Sequence, residues 1–147
     1  MSEAVRDIEA LVYLYAERMD EGDFSGVAAL FADAEYRAAG GPALRGAAAL
    51  QTTLESMVRR YDGKPSTKHV TTNLVVEIDA AGTRATARSY FTVLQALPNF
   101  PLQVVVAGRY HDRFALRDGR WGFAEREVWM DLVGDLSRHL NHFARSK

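Results

Sequence analysis

Residues 67–132 read TKHVTTNLVVEIDAAGTRATARSYFTVLQALPNFPLQVVVAGRYHDRFALRDGRWGFAEREVWMDL. The stretch is rich in β-branched and aromatic residues, and turn-forming clusters divide it. Asp79-Ala80-Ala81-Gly82, Pro98-Asn99-Phe100-Pro101 and Asp118-Gly119 mark three reversals. Four long strands result, over 67–78, 83–97, 102–117 and 120–132. Their short links make an antiparallel meander. Strands of this length accumulate twist, which predicts a strongly curved sheet.

Alternation along the strands assigns faces. Tyr110 and Asp112 share a side with Val106 and Phe114, while Arg109, His111 and Arg113 fill the other. His69 falls with Thr71 and Asn73, opposite Val70, Leu74 and Val76. Alternation alone therefore puts His69 on a polar exposed face unless a bulge changes the parity.

Upstream the periodicity changes. Val5, Ile8, Val12, Tyr15 and Met19 form one stripe of a first helix over 3–21, with Ser2 as N-cap and Gly22 past its end. Asp23 caps a short second helix carrying Val27, Leu30 and Phe31. A short strand over 34–38 and the Gly40-Gly41-Pro42 turn follow. Gly46 opens a third helix that presents Leu50, Leu54, Met57, Val58 and Tyr61, and Asp62-Gly63-Lys64-Pro65 ends it. After the strands, Leu136, Leu140 and Phe143 predict an amphipathic tail helix over 135–145.

Helices first and strands afterwards predict an α+β fold in which three N-terminal helices pack on the concave face of the sheet, leaving a pocket open at one end. No repeat, low-complexity tract or linker interrupts the chain, so residues 1–147 read as a single domain. Without cysteine, disulfides, thiolate metal sites and thiol nucleophiles are excluded together. A formal net charge of −1 gives no electrostatic footprint for nucleic acid. Charges interrupt the first twenty residues, and no stretch is long and apolar enough for a membrane span, so the expected location is cytoplasmic.

The order of elements resembles the cone-shaped, cystatin-like fold of the SnoaL-like branch of the nuclear transport factor two superfamily. The resemblance rests on Tyr15-x4-Asp20-x2-Asp23-Phe24, Leu30-Phe31 and Asp33, and Gly46 before the third helix. It continues through His69 with Asn73, Gly108-Arg109-Tyr110-x-Asp112 and Trp121-x-Phe123-x2-Arg126. Within that branch the motifs are most similar to bile acid 7α-dehydratase and scytalone dehydratase. The resemblance implies that Tyr15, Asp20 and His69 are catalytic. It implies that Tyr36, Asn73, Phe91, Tyr110, Asp112 and Trp129 contact ligand, with no cofactor and no metal. There are departures. Scytalone dehydratase has a second active-site histidine on the sheet, and the stretch Tyr90 to Gln95 has none. Its tyrosine before the helix-1 aspartate is Met19 here. A basic residue of the bile acid enzyme falls at Met130.

The residues themselves carry a compatible chemistry. An imidazole titrates near neutrality, and a neighbouring carboxylate or phenol makes it a general acid–base device. Asp20 sits at a helix C-terminus, where the macrodipole opposes a carboxylate and is expected to raise its pKa. Tyr15 and Asp20 are five residues apart, about 140° around a helix, and must approach any ligand from different sides. Asp112 is either a second acid–base group or a structural acid bonded to Tyr, Arg or backbone. The His139-x2-His142 spacing suits a metal, but two histidines without a carboxylate companion more often line a solvated tail.

Two functional readings follow. One is a cofactor-independent lyase or isomerase acting on a small polycyclic or aromatic hydroxyl-ketone. The other is a non-catalytic ligand-binding or dimerisation module on the same fold. A third, a relative of the small β subunit of ring-hydroxylating dioxygenases, requires an iron-bearing partner. The expected partners are a small apolar ligand and a second copy of the chain. A homodimer is predicted from the aromatic and Arg-rich outer face formed by Arg88, Tyr90, Thr92, Leu94, Arg109, His111 and Arg113.

Overall fold

A computed structural model describes residues 2–141. Its elements are α1 (Glu3–Glu21), α2 (Phe24–Ala29), β1 (Glu35–Ala38), β2 (Leu44–Arg45), α3 (Gly46–Met57), β3 (Thr67–Ile78), β4 (Arg84–Leu97), β5 (Phe100–Arg117) and β6 (Arg120–Val133). The Ser2 hydroxyl caps α1 by accepting from the Val5 N–H at 3.3 Å. Ile8, Val12, Tyr15, Ala16 and Met19 form its buried stripe. Gly22 ends α1 at φ 73°. A Cβ there would also stand 2.1 Å from the Gly63 carbonyl oxygen. The backbone angle and the close approach together therefore require glycine.

The four long strands form the expected antiparallel meander, within a six-stranded sheet of order β2-β1-β6-β5-β4-β3. The sheet is mixed rather than purely antiparallel, because β1 pairs with β6 in parallel. A four-residue strand carries no mark of which distant edge it joins or in which direction. The helices cover one face, and Phe24, Phe31, Leu50, Leu54, Phe91, Phe114 and Phe123 fill the space between the layers.

Three expected boundaries are corrected. α3 stops at Met57, and extended Val58 forms a bridge to Leu140. Phe100 belongs to β5, not to the preceding turn, and is buried. The tail helix is absent among the described residues. Residues 134–141 run as a strap with a single turn at Leu136–Leu140. The strap's backbone bonds to the exit of α3: the Arg59 N–H donates to the His139 carbonyl at 2.8 Å, and the Asn141 N–H to the Met57 carbonyl at 2.7 Å. The Leu136/Leu140 spacing that suggests a helix instead buries Leu136 against the core. The rest of the expected helix, with His142 and Phe143, lies outside the described residues.

The interior of the cone holds a buried ion pair. Arg126 donates from Nε and Nη2 to the two Asp112 carboxylate oxygens at 2.8 and 2.9 Å, and neither side chain has any solvent exposure. The guanidinium lies 3.7 Å from the Tyr110 ring centre and 4.3 Å from that of Tyr15. Removing one partner leaves an uncompensated buried charge, which typically costs about 3–5 kcal/mol. Arg126→Met should therefore lower the unfolding free energy, read from urea melts, by roughly that amount. Adding Asp112→Leu should recover much of the loss. A single variant within about 1 kcal/mol of wild type would contradict this account.

Candidate functional site

The last turn of α1 lies along the start of β3, and Asp20 joins them. Its Oδ2 accepts the His69 backbone N–H at 2.8 Å. Its Oδ1 accepts the Thr67 hydroxyl at 2.9 Å and lies 2.6 Å from His69 Nδ1. A carboxylate can only accept, so Nδ1 carries the proton and Nε2 of a neutral ring is the basic nitrogen. No described residue bonds Nε2. The His69 side chain is only 6% exposed, which corrects the polar, exposed face that simple alternation gives it.

The reason is a β-bulge. Thr72 pairs with Tyr90 but Val75 with Arg88, so one extra residue is inserted, and Asn73 sits at φ 55°. Before the bulge Thr67, His69 and Thr71 turn toward the helices; after it Leu74, Val76 and Ile78 do. The parity shift puts both sets on one face.

The Asp20 carboxyl lies below its ordinary value of 3.8, not above it as the helix dipole suggests. Partial burial works to raise it. The side-chain bond and charge of His69, the His69 N–H and the Thr67 hydroxyl together outweigh that burial. A cleft of about 670 Å³ runs along the α1–β3 seam, lined by Tyr13, Ala16, Asp20, Ser66, Thr67 and His69 among others.

Tyr15 belongs to a different group. Its hydroxyl bonds that of Tyr36 at 2.8 Å, and its ring meets Tyr110 edge-on at 5.8 Å. Tyr110 stacks on Phe91 at 4.6 Å. Burial pushes the phenols of Tyr15, Tyr36 and Tyr110 above the usual tyrosine range. These side chains pack around the Asp112–Arg126 pair in the cone interior, where the sequence suggests an open pocket. Asn73 is exposed at the bulge. Trp129 lies on the outer face, 4.5 Å under the Arg109 guanidinium, and thus on the other side of the sheet from Tyr110 and Phe91. Of the residues named from sequence, Asp20 and His69 meet, and Tyr15, Tyr36, Phe91, Tyr110 and Asp112 meet; Asn73 and Trp129 join neither group.

One residue near the dyad carries no sequence signal for this role. His139, on the strap, is buried, and its ring centre lies 6.1 Å from that of His69. Burial, aided by the charge of His69 and opposed by that of Asp20, lowers its pKa to about 4. Among the described residues no group of three or more potential metal ligands comes together, and no helix is long and apolar enough to cross a membrane.

The SnoaL-like domain family matches residues 1–127. No curated protein matches the chain. Among solved structures, Rv3472 of Mycobacterium tuberculosis, described as a protein of unknown function, is 29% identical with a TM-score of 0.73, covering 88% of this chain and 72% of its own. A provisionally named scytalone dehydratase of Novosphingobium aromaticivorans is 26% identical with a TM-score of 0.72, covering 97% and 95%. A nuclear transport factor two-like protein with a cystatin-like fold from the same organism is 20% identical, with a TM-score of 0.73 over 92% and 86%, and bears on the fold alone.

A depressed folded-state carboxyl pKa contributes stability that is present above the unfolded value and lost as pH falls through the folded value. Asp20→Asn should therefore cost about 1–3 kcal/mol at pH ~7. The difference should shrink as pH falls below the ordinary aspartate value, about 3.9. Urea melts of both proteins across that window check it; a difference independent of pH would show that the charge of Asp20 stabilises nothing.

Proposed function

This chain belongs to the SnoaL-like domain family, and we propose that within it the protein is a cofactor-independent lyase or isomerase. Its substrate class is a small polycyclic or aromatic hydroxyl-ketone, and its chemistry is general acid–base catalysis. The observation that carries the reading is the Asp20–His69 pair: a 2.6 Å bond on a nearly buried imidazole, beside a cleft, with no described residue bonded to Nε2. Buried structural histidines usually have both nitrogens satisfied.

In a β-hydroxy ketone His69 Nε2 takes the proton α to the carbonyl, and the C–H electron pair moves into the enolate. The hydroxyl then leaves the β carbon with its bonding pair and receives that proton, giving enone and water. Returning the proton to a different carbon gives isomerisation instead. Asp20 holds the tautomer and balances the imidazolium while it exists. The likeness to a provisionally named scytalone dehydratase supports the dehydration arm. Tyr15, bonded in the interior, enters this scheme as a residue that shapes the wall rather than as the proton donor. The interior favours a second reading, a non-catalytic ligand-binding or dimerisation module, because the Tyr15–Tyr36 and Asp112–Arg126 bonds already tie up polar groups that a ligand would have to recruit.

The working unit in this proposal is a cytoplasmic homodimer, with a small apolar ligand and neither nucleic acid nor membrane as partner. Tyr90 and Leu132 are 53% and 71% exposed, near the Arg109–Trp129 stack, and Leu102 on the same strand as Arg109 is 70% exposed. Large apolar groups with Arg and aromatic rings are the usual make-up of an interface core.

A tetralone bearing a hydroxyl β to its ketone is a suitable test substrate, because its dehydration gives fluorescent α-naphthol. His69→Ala should lower turnover by about 10²–10⁴ with the fold intact, and Asp20→Asn by less. Full activity in His69→Ala would remove the mechanism. Light scattering should give the mass of a dimer for wild type and of a monomer for Tyr90→Asp/Leu132→Asp; a wild-type monomer at micromolar concentration would remove the dimer.

A further inference from the structure

The strap at 134–141 is held at many points. Besides its backbone bonds to Met57 and Arg59, the Tyr61 hydroxyl donates to the Arg138 carbonyl at 2.7 Å. Gln95 Nε2 donates to the same carbonyl at 3.0 Å, and Arg59 Nη1 to the Ser137 carbonyl at 2.8 Å. Leu136 anchors the strap in the core and Leu140 packs against it. Between these two leucines stands His139, 5% exposed, with its Nδ1 buried and without a partner among the described residues.

Packing does not account for an imidazole here. The flanking leucines already supply the apolar contact, and a buried ring nitrogen without a bond is a net cost that a third leucine would avoid. The strap nevertheless holds this ring edge-on to His69 with 6.1 Å between centres. Among the described residues no hydrogen bond joins the two rings.

We propose that His139 is a second imidazole of the same site, which hydrogen-bonds the ligand oxygen on which charge develops while His69 moves the proton. The inference rests on the reading of Asp20 and His69 as the acid–base centre. The two rings divide the work by their surroundings. Asp20 faces His69 and balances a positive charge there. His139 has no carboxylate bonded to it, and burial keeps it neutral at physiological pH. A neutral imidazole is a poor proton donor but a good hydrogen-bond donor, as the carbonyl oxygen requires when an enolate forms. The ligand class is the one already named, narrowed to compounds whose ketone and transferred proton lie close enough to face two adjacent rings.

The experiment is a titration of the wild-type protein with α-naphthol, followed through the imidazole carbon–proton resonances in NMR. Both His69 and His139 signals should move along one saturation curve. His139→Leu should weaken α-naphthol binding about tenfold, the worth of one lost hydrogen bond, and His139→Gln, which keeps a donor, should weaken it less. Thermal melts control for folding, and the wild-type titration needs no variant. A probe that moves His69 alone, or binds His139→Leu as tightly as wild type, overturns the role of His139 and leaves the acid–base reading standing. A probe that moves neither ring overturns both.

Discussion

The carboxylate of Asp20 ties the helical half of the chain to the sheet, and the geometry of the candidate site depends on it. Three donors from β3 converge on its two oxygens: the Thr67 hydroxyl, the His69 backbone N–H and the His69 ring. Each is a hydrogen bond to a charged acceptor, the stronger kind. They place the end of α1 against the start of β3 with no free rotation left in the carboxylate. The same bonds select the His69 tautomer and aim Nε2 away from the helix. Stability and chemistry therefore draw on one group, and Asp20 must stay ionised for either.

Two polar clusters lie within the layers and behave differently. In the interior, the Asp112–Arg126 pair is enclosed by the faces of Tyr15 and Tyr110. Burial alone would depress the guanidinium, and the carboxylate more than offsets it, so the pair stays charged and fixed. Gly108 belongs to this packing: a Cβ there would meet the Trp129 carbonyl oxygen at 1.8 Å and the Phe91 ring at 2.8 Å. Such a cluster specifies one arrangement of β5 and β6, and both oxygens of its carboxylate are bonded to Arg126. At the α1–β3 seam the polar atoms are fewer, a cleft reaches them, and no described residue bonds Nε2 of His69.

The long strands were legible because β-branched alternation and Asp-Gly or Pro-Asn turns are local signals. α1 was legible because its stripe, cap and terminal glycine agree with one another. The parallel pairing of β1 with β6 was not, since strand direction beside a partner some ninety residues on leaves no local trace. Leu136 and Leu140 have helical spacing, yet their segment bonds to the end of α3, so tertiary hydrogen bonds override the periodicity. His69 was identified by resemblance, whereas strict alternation puts it in solvent; the bulge at Asn73 reconciles the two. Arg126 stood in the sequence as a motif residue, with nothing to mark it as fully buried. Trp129 was a ligand contact by resemblance, and the register of β5 with β6 puts it on the outer face with Arg109.

The position proposed for the acid–base imidazole follows from charge as much as from shape. A base that takes a proton must carry a positive charge until it gives the proton back. In the depth of the cone that charge would face the guanidinium of Arg126, a fixed cation whose only counter-charge, Asp112, is already doubly bonded to it. Like charges in a low-dielectric interior repel strongly. At the seam the transient imidazolium meets Asp20 at hydrogen-bond distance, and the cleft admits solvent. The ion pair that stabilises the interior thus excludes acid–base chemistry from it and leaves the rim, where α1, β3 and the strap meet, as the place where a proton can be held and returned.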